Sequence, residues 1–273
     1  MLLQQLLILM IFIMKLSKKI LSIFLSIVTV VTMLAVGTTS AFAAGWASRA
    51  TPINLGTVYS ESAEDTDAYF NGNYYDAFVF SVPAKGKVKV RIEAEDMSYM
   101  YAYKYMYRSS NLDDPIGDSY LSCTNDGYSS GGGYYYREYT TNLSSAGTYY
   151  LAVKYDSELR YYDDSYDIRV TYTPSFSNTS LSKVSAKKKA FNAKWKKCSN
   201  VSGYQLQYST KKNMKSAKTY TFKGNKTTSK TVSKLKKKKT YYVRVRTYKT
   251  VKINGKNKTY YGKWSSKKAV KTK

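Results

Sequence analysis

The stretch from Leu235 to Tyr248, LKKKKTYYVRVRTY, leaves a chain few ways to fold. After a lysine-filled turn, Tyr241, Val243 and Val245 point one way while Tyr242, Arg244 and Arg246 point the other. Alternation at period two marks a strand with one buried face and one wet face. Its neighbours read the same way. Lys194-Trp195 falls on an earlier strand, GYQLQYS (Gly203 to Ser209) forms the next, and YYGKWSS (Tyr260 to Ser266) leads into the last. Trp195 and Tyr241 are the expected core of this unit, with Tyr204 and Leu235 as further structural positions.

Leu235, six residues before the inward Tyr241 and its alternating valines, resembles the tyrosine corner of a β-sandwich. Together these residues resemble a fibronectin type III domain over roughly Leu181 to Lys273, in the lysine-rich form carried by secreted surface proteins of clostridia and Lachnospiraceae-type bacteria. Trp264-Ser265 resembles half of the Trp-Ser-x-Trp-Ser element of related sandwich domains. There an aromatic ring stacks on arginines of a neighbouring strand. The resemblance implies that Trp264 meets Arg244 and Arg246 by cation–π contact, as a structural feature.

A second β-domain is expected before it, within residues 44–173. YDAFVFSVP (Tyr75 to Pro83) alternates, Lys85-Gly86-Lys87 turns, and KVKVRIEAE places Val88, Val90, Ile92 and Ala94 opposite Lys89, Arg91 and Glu93. TYYLAVKY follows the Ala146-Gly147 turn, and YDIRVTY runs from Tyr166 to Tyr172. Strands between Gly, Pro, Asn and Asp turns, without a helical period, indicate an all-β sandwich. YDAFVFSVPAKGKVKV, LSSAGTYYLAVKY and YDIRVTY, in this order, resemble the bacterial pre-peptidase C-terminal domain, a jelly-roll-like module. That resemblance implies a non-catalytic exported module. The expected architecture is therefore two β-sandwiches, at 44–173 and 181–273, joined by a Pro-, Ser- and Asn-rich linker at 174–180.

Residues 1–43 read as a signal peptide whose natural start is Met14. Lys15, Lys18 and Lys19 form its basic region, Ile20 to Val36 its apolar region, and Ala41-Phe42-Ala43 a cleavage pattern. The rival reading is a retained anchor. No cysteine follows the apolar run and no sorting motif closes the sequence, so the expectation is export without a covalent anchor.

With no histidine and only Cys123 and Cys198, the chain has no Ser-His-Asp or Cys-His site and no histidine-containing zinc site. Two free thiols are expected. No cofactor and no metal are expected either: the acidic clusters at Glu61, Glu64, Asp65 and Asp67 and at Asp163, Asp164 and Asp167 lack the spacing of a calcium loop and read as solvated turns.

The net charge of +26 is split unevenly. From Thr171 to Lys273 there are 30 Lys and Arg and not one Asp or Glu, whereas residues 61–170 carry 18 acids against 10 bases. A surface built only for solubility mixes signs, so the partition points to an anionic partner. Candidate contacts are Lys236, Lys237, Lys238, Lys239, Arg244 and Arg246. In the first domain, Tyr99, Tyr101, Tyr103, Tyr105 and Tyr107 recur at every second position. Such a row is either one face of a core strand or an exposed ladder able to stack on sugar rings. Gly131 to Gly133 with Tyr134 to Tyr136 is either a binding loop or a hairpin tip.

The sequence thus points to an exported, non-enzymatic binding or adhesion protein of the bacterial envelope whose partner is an anionic cell-wall polymer or acidic glycan. Nucleic acid fits the charge but not the compartment, and no lasting membrane insertion is expected. The alternatives are a carbohydrate-active hydrolase or accessory module using acids of the first domain, and an inert structural spacer.

Overall fold

The computed structural model describes residues 47–62, 68–70, 73–95, 104–108, 111–115, 121–129, 133–155 and 165–273. Residues 1–43, the expected signal peptide, lie outside the described residues. Among them every element is a strand, as the patterning requires, and no helix is long and apolar enough to cross a membrane.

The first domain contains β1 (Thr51–Pro52), β2 (Val58–Ser62), β3 (Ala68–Phe70), β4 (Asn73–Val82), β5 (Gly86–Ala94), β6 (Lys104–Arg108), β7 (Asn111–Pro115), β8 (Cys123–Ser129), β9 (Tyr134–Leu143), β10 (Gly147–Tyr155) and β11 (Ser165–Pro174). They form two sheets in the orders β1-β4-β10-β6-β7, with β3 also on β4, and β2-β11-β5-β9-β8. Val88, Val90 and Ile92 of β5 are fully buried and meet Phe78, Phe80, Leu151 and Met106 from the facing sheet in one apolar cluster. The two sheets are therefore the layers of a sandwich. β4 is buried on both faces, because Ala77 and Val79 pack with Ala47, Ala50 and Tyr150 in a separate cluster on the outer side. Strict alternation in YDAFVFSVP gives way to this second layer.

The second domain follows with β12 (Leu181–Lys187), β13 (Ala190–Trp195), β14 (Gly203–Ser209), β15 (Lys218–Lys223), β16 (Ser229–Val232), β17 (Thr240–Ile253), β18 (Lys256–Tyr261) and β19 (Lys268–Lys271). β12-β13-β16 faces β15-β14-β17-β18, with β19 also on β17. Phe191, Ala193 and Trp195 on one side meet Tyr204, Leu206, Tyr241, Val243 and Val245 on the other. The Tyr241 hydroxyl accepts the Lys236 N–H at 3.1 Å, and Leu235 packs against this core. The Tyr204 hydroxyl likewise accepts the Cys198 N–H at 2.8 Å. Both aromatics fill the core while their polar ends hold a loop.

β17 continues for 14 residues, past the sandwich it belongs to. With β18 it forms a hairpin whose turn, Asn254-Gly255, takes left-handed backbone at both positions (φ 47° and 78°). An Asn-Gly pair suits this two-residue turn, since both residues tolerate positive φ. The hairpin lands on the first domain. Val251 is buried in that domain's apolar cluster, with Ile253 and Tyr260 packed against it. Asn254 donates to the Leu55 carbonyl at 2.9 Å, and the Tyr260 hydroxyl donates to the Tyr172 carbonyl at 3.1 Å. The linker is fastened on both sides too: Ser175 N–H donates to Lys85 O at 3.0 Å, and Thr247 Oγ1 to Ser177 O at 2.8 Å.

Candidate functional site

A sandwich sends alternate loops to opposite ends, so strand order decides which loops meet. In the second domain the β12–β13 turn, the β14–β15 loop and the loop before β17 all lie at one end, remote from the hairpin tip. Ser209, the last residue of β14, pairs with Tyr242 near the start of β17, and Lys271 pairs with Thr240. These three connections carry three, three and five lysines: Lys187 to Lys189, Lys211, Lys212 and Lys215, and Lys234 with Lys236 to Lys239. All of them are exposed, as are Lys271 and Lys273.

Backbone hydrogen bonds tie much of this end together. Leu235 N–H donates to Lys189 O at 2.9 Å, Lys189 N–H to Lys273 O at 2.9 Å, and Lys273 N–H to Lys187 O at 3.0 Å. The buried Thr272 completes the knot: its hydroxyl donates to Lys236 O at 2.6 Å and accepts the Lys239 N–H at 3.1 Å. The expected group Lys236, Lys237, Lys238 and Lys239 therefore belongs to a larger lysine pole, to which distant stretches of sequence contribute. Along β17, at about 3.3 Å per residue, Thr240 at the pole is roughly 43 Å from Ile253 at the first domain. The domain's other lysines add to its field. Lys183 and Lys194 are direct cross-strand partners, both exposed, an arrangement that repels.

Arg244 and Arg246 are placed elsewhere, on the outer face of the larger sheet. The Gln207 Oε1 accepts two N–H groups of Arg244 at 3.0 and 2.8 Å, and Gln205 Oε1 accepts two of Arg246 at 2.9 and 2.7 Å. Trp264 covers both, its ring centroid 4.4 Å from the guanidinium carbon of Arg244 and 4.3 Å from that of Arg246. Tyr261 sits over Arg246 at 3.9 Å. Burial lowers both guanidinium pKa values from their ordinary value; at Arg246, Tyr261 opposes this and the charge of Arg244 adds to it. These two cations are occupied within the fold. The structure does not bring them to the lysine pole.

In the first domain the tyrosine row falls largely outside the described residues. Tyr99, Tyr101 and Tyr103 lie outside them, as do the side chains of Tyr105 and Tyr107 on β6; Met106 between those two is buried in the core. Of the Gly131-to-Tyr136 stretch, Gly131 and Gly132 lie outside the described residues. Gly133 N–H donates to Ser129 O at 3.0 Å, and Tyr134 to Tyr136 belong to β9. Tyr128 and Tyr135, cross-strand partners on β8 and β9, are exposed with ring centroids 4.9 Å apart.

The outer face of the second sheet carries an ion network. Glu138 binds Lys89 at 2.9 Å and Arg91 at 3.3 Å, and Arg91 also binds Glu93 at 2.5 Å. Burial acts to raise the Glu138 pKa, but hydrogen bonds from Lys89, Asn125 and Arg91 outweigh it and hold the carboxyl below its ordinary range. Of the acidic clusters, Glu64, Asp65, Asp67, Asp163 and Asp164 lie outside the described residues, and Asp167 accepts the Ser60 hydroxyl at 2.6 Å. Among the described residues no group of three or more Cys, Asp or Glu could hold a metal ion. Cys123 is exposed and Cys198 buried, and both are free.

No protein-family model matches the chain, and no curated protein matches it. Solved structures do. The pre-peptidase C-terminal domain of a Bacillus anthracis collagenase is 16% identical, over 45% of this chain and 94% of that one, with a TM-score of 0.32. A Fn3-like protein from Clostridium thermocellum is 19% identical, over 37% of this chain and 94% of that one, at a TM-score of 0.23. The adhesin domain of Epf from Streptococcus pyogenes is 13% identical, over 79% of this chain and 76% of that one, at 0.38. Likenesses this distant carry no functional argument, and the site has to be read from its own residues.

Proposed function

We propose that the chain is an exported, non-catalytic binding protein of the bacterial cell envelope, held to anionic polymer by the lysine pole of its second domain. The observation that carries the reading is the pole itself. Exposed lysines from three loops converge on one end of a domain with no carboxylate side chain from Thr171 onward. Its field is left uncompensated within that domain, and it draws polyanions such as teichoic-acid phosphates or acidic glycans. Each exposed ion contact is worth only about 0–1 kcal/mol, so retention is a matter of number. The missing histidines support a binding role over the common hydrolytic sites. The basic, apolar and small-residue order of residues 15–43 supports export, and N-terminal sequencing of the secreted protein is expected to begin at Ala44.

Co-sedimentation of the whole protein with purified envelope across a salt series tests the reading. Binding is expected at low salt and should fade toward 1 M, as the Debye length falls from about 10 Å at 0.1 M to about 3 Å. Single Lys→Ala changes should matter little, whereas replacing Lys236 to Lys239 together should release much of the protein. Binding that ignores salt would move the function away from the pole to the tyrosine-rich first domain.

A further inference from the structure

The pole is made of one kind of cation. The second domain has only two arginines, and Arg244 and Arg246 are both engaged by glutamines and covered by Trp264. Every cation the pole presents from a side chain is therefore an ammonium group. An ammonium is a compact point charge with rotatable donors on a flexible stem, whereas a guanidinium is a planar fork that reads the geometry of a carboxylate or phosphate.

Three of the lysines stand where side chains are disfavoured. Lys189, Lys234 and Lys238 have φ of 48°, 59° and 54°, in the left-handed region. Glycine takes such positions without a steric penalty, and at Gly224 and Gly255 this same domain uses it, with φ of 77° and 78°. At the pole these three positions carry lysine, and Met214 and Ser216 of the β14–β15 loop take the same region with φ of 63° and 57°. Lys189 and Lys234 flank the Leu235-to-Lys189 backbone hydrogen bond, so the bases of their stems are held near one another.

Resting on the polyanion reading above, we infer that the pole takes a flexible linear polyanion by its charge density and without regard to the shape of the anionic group, with Lys189, Lys234 and Lys238 among its contacts. A polymer that drapes over the three loops meets these ammonium groups together with those of the other exposed lysines. Left-handed lysine lowers the stability of the turns and supplies charge in return.

The test uses the whole protein, with polyphosphate, polyglutamate and hyaluronate of matched chain length at low salt. Affinity is expected to fall in that order, following the spacing of charge along each polymer. Replacing these three lysines by glycine should leave the melting temperature unchanged or raise it while weakening polyphosphate binding about tenfold, the sum of three exposed ion contacts. Replacing the same three by arginine should keep both the affinity and the order of the polymers. A carboxylate polymer binding more tightly than polyphosphate, an order that changes with arginine, or full binding by the glycine variant would each overturn the inference while leaving the polyanion reading intact. No binding to any of the three polymers would sink both.

Discussion

Val251→Asp tests whether the β17–β18 hairpin joins the two domains into one unit. Val251 is 7% exposed within the first domain's cluster, although it belongs to a strand of the second. A carboxylate has two choices there. It can stay buried, unpaired and at a cost of several kcal/mol, or the hairpin can lift away. Lifting forfeits the valine burial, worth about 1.5–3 kcal/mol, and the hydrogen bonds of Asn254 to Leu55 and Tyr260 to Tyr172, at about 1 kcal/mol each. The chain follows the cheaper route, so the loss is about 3–5 kcal/mol of coupling. It falls on the first domain, because the second domain's own cluster does not contain Val251. The assay is denaturation of the whole protein in a Trp46→Phe background, with far-UV circular dichroism following both domains. Fluorescence then reports the second domain alone, through Trp195 and Trp264. The parent should show coincident transitions by both probes. The variant should split them, with circular dichroism showing an earlier loss that fluorescence does not. Coincident transitions at an unchanged midpoint would refute the docking argument.

Trp195→Ala should cost about 3–5 kcal/mol, since the ring is buried against Tyr204 and Phe222; a loss under about 1 kcal/mol in urea unfolding would contradict that packing. Trp195→Phe should cost less, because the buried indole N–H has no hydrogen-bond partner and its removal recovers a desolvation penalty. Trp264→Ala should uncover Arg244 and Arg246 and lower stability by about 1–2 kcal/mol, with the far-UV spectrum kept. On acidification, the depressed Glu138 pKa means that its contribution is complete above the unfolded carboxylate pKa and is lost as pH falls through the lower folded value; Glu138→Gln should flatten that part of a stability–pH curve. At high pH the sign reverses for Tyr172, whose hydroxyl is pushed up to about 12, first by burial and then by Tyr260 and Tyr149. Its contribution holds below the ordinary tyrosine pKa and is lost as pH rises toward 12; Tyr172→Phe should flatten that part of a stability–pH curve.

What the sequence determined by itself is what local pattern encodes. Val88, Val90 and Ile92, and Tyr241, Val243 and Val245, face inward because side chains alternate along any strand, whatever it pairs with. The partition of charge is likewise a property of composition alone. Trp264 over Arg244 and Arg246 was within reach because two arginines two residues apart share a face. Tertiary structure decided the rest. The gathering of Lys187 to Lys189 with Lys234 to Lys239 and the C-terminal strand depends on which strands pair across long separations, and period-two alternation is the same for every partner. The landing of Val251 in another domain's core is equally non-local. Asn254-Gly255 announced a tight hairpin, but a valine's apolarity names no site for its burial, and only the packed surface around Leu55 and Tyr172 does so.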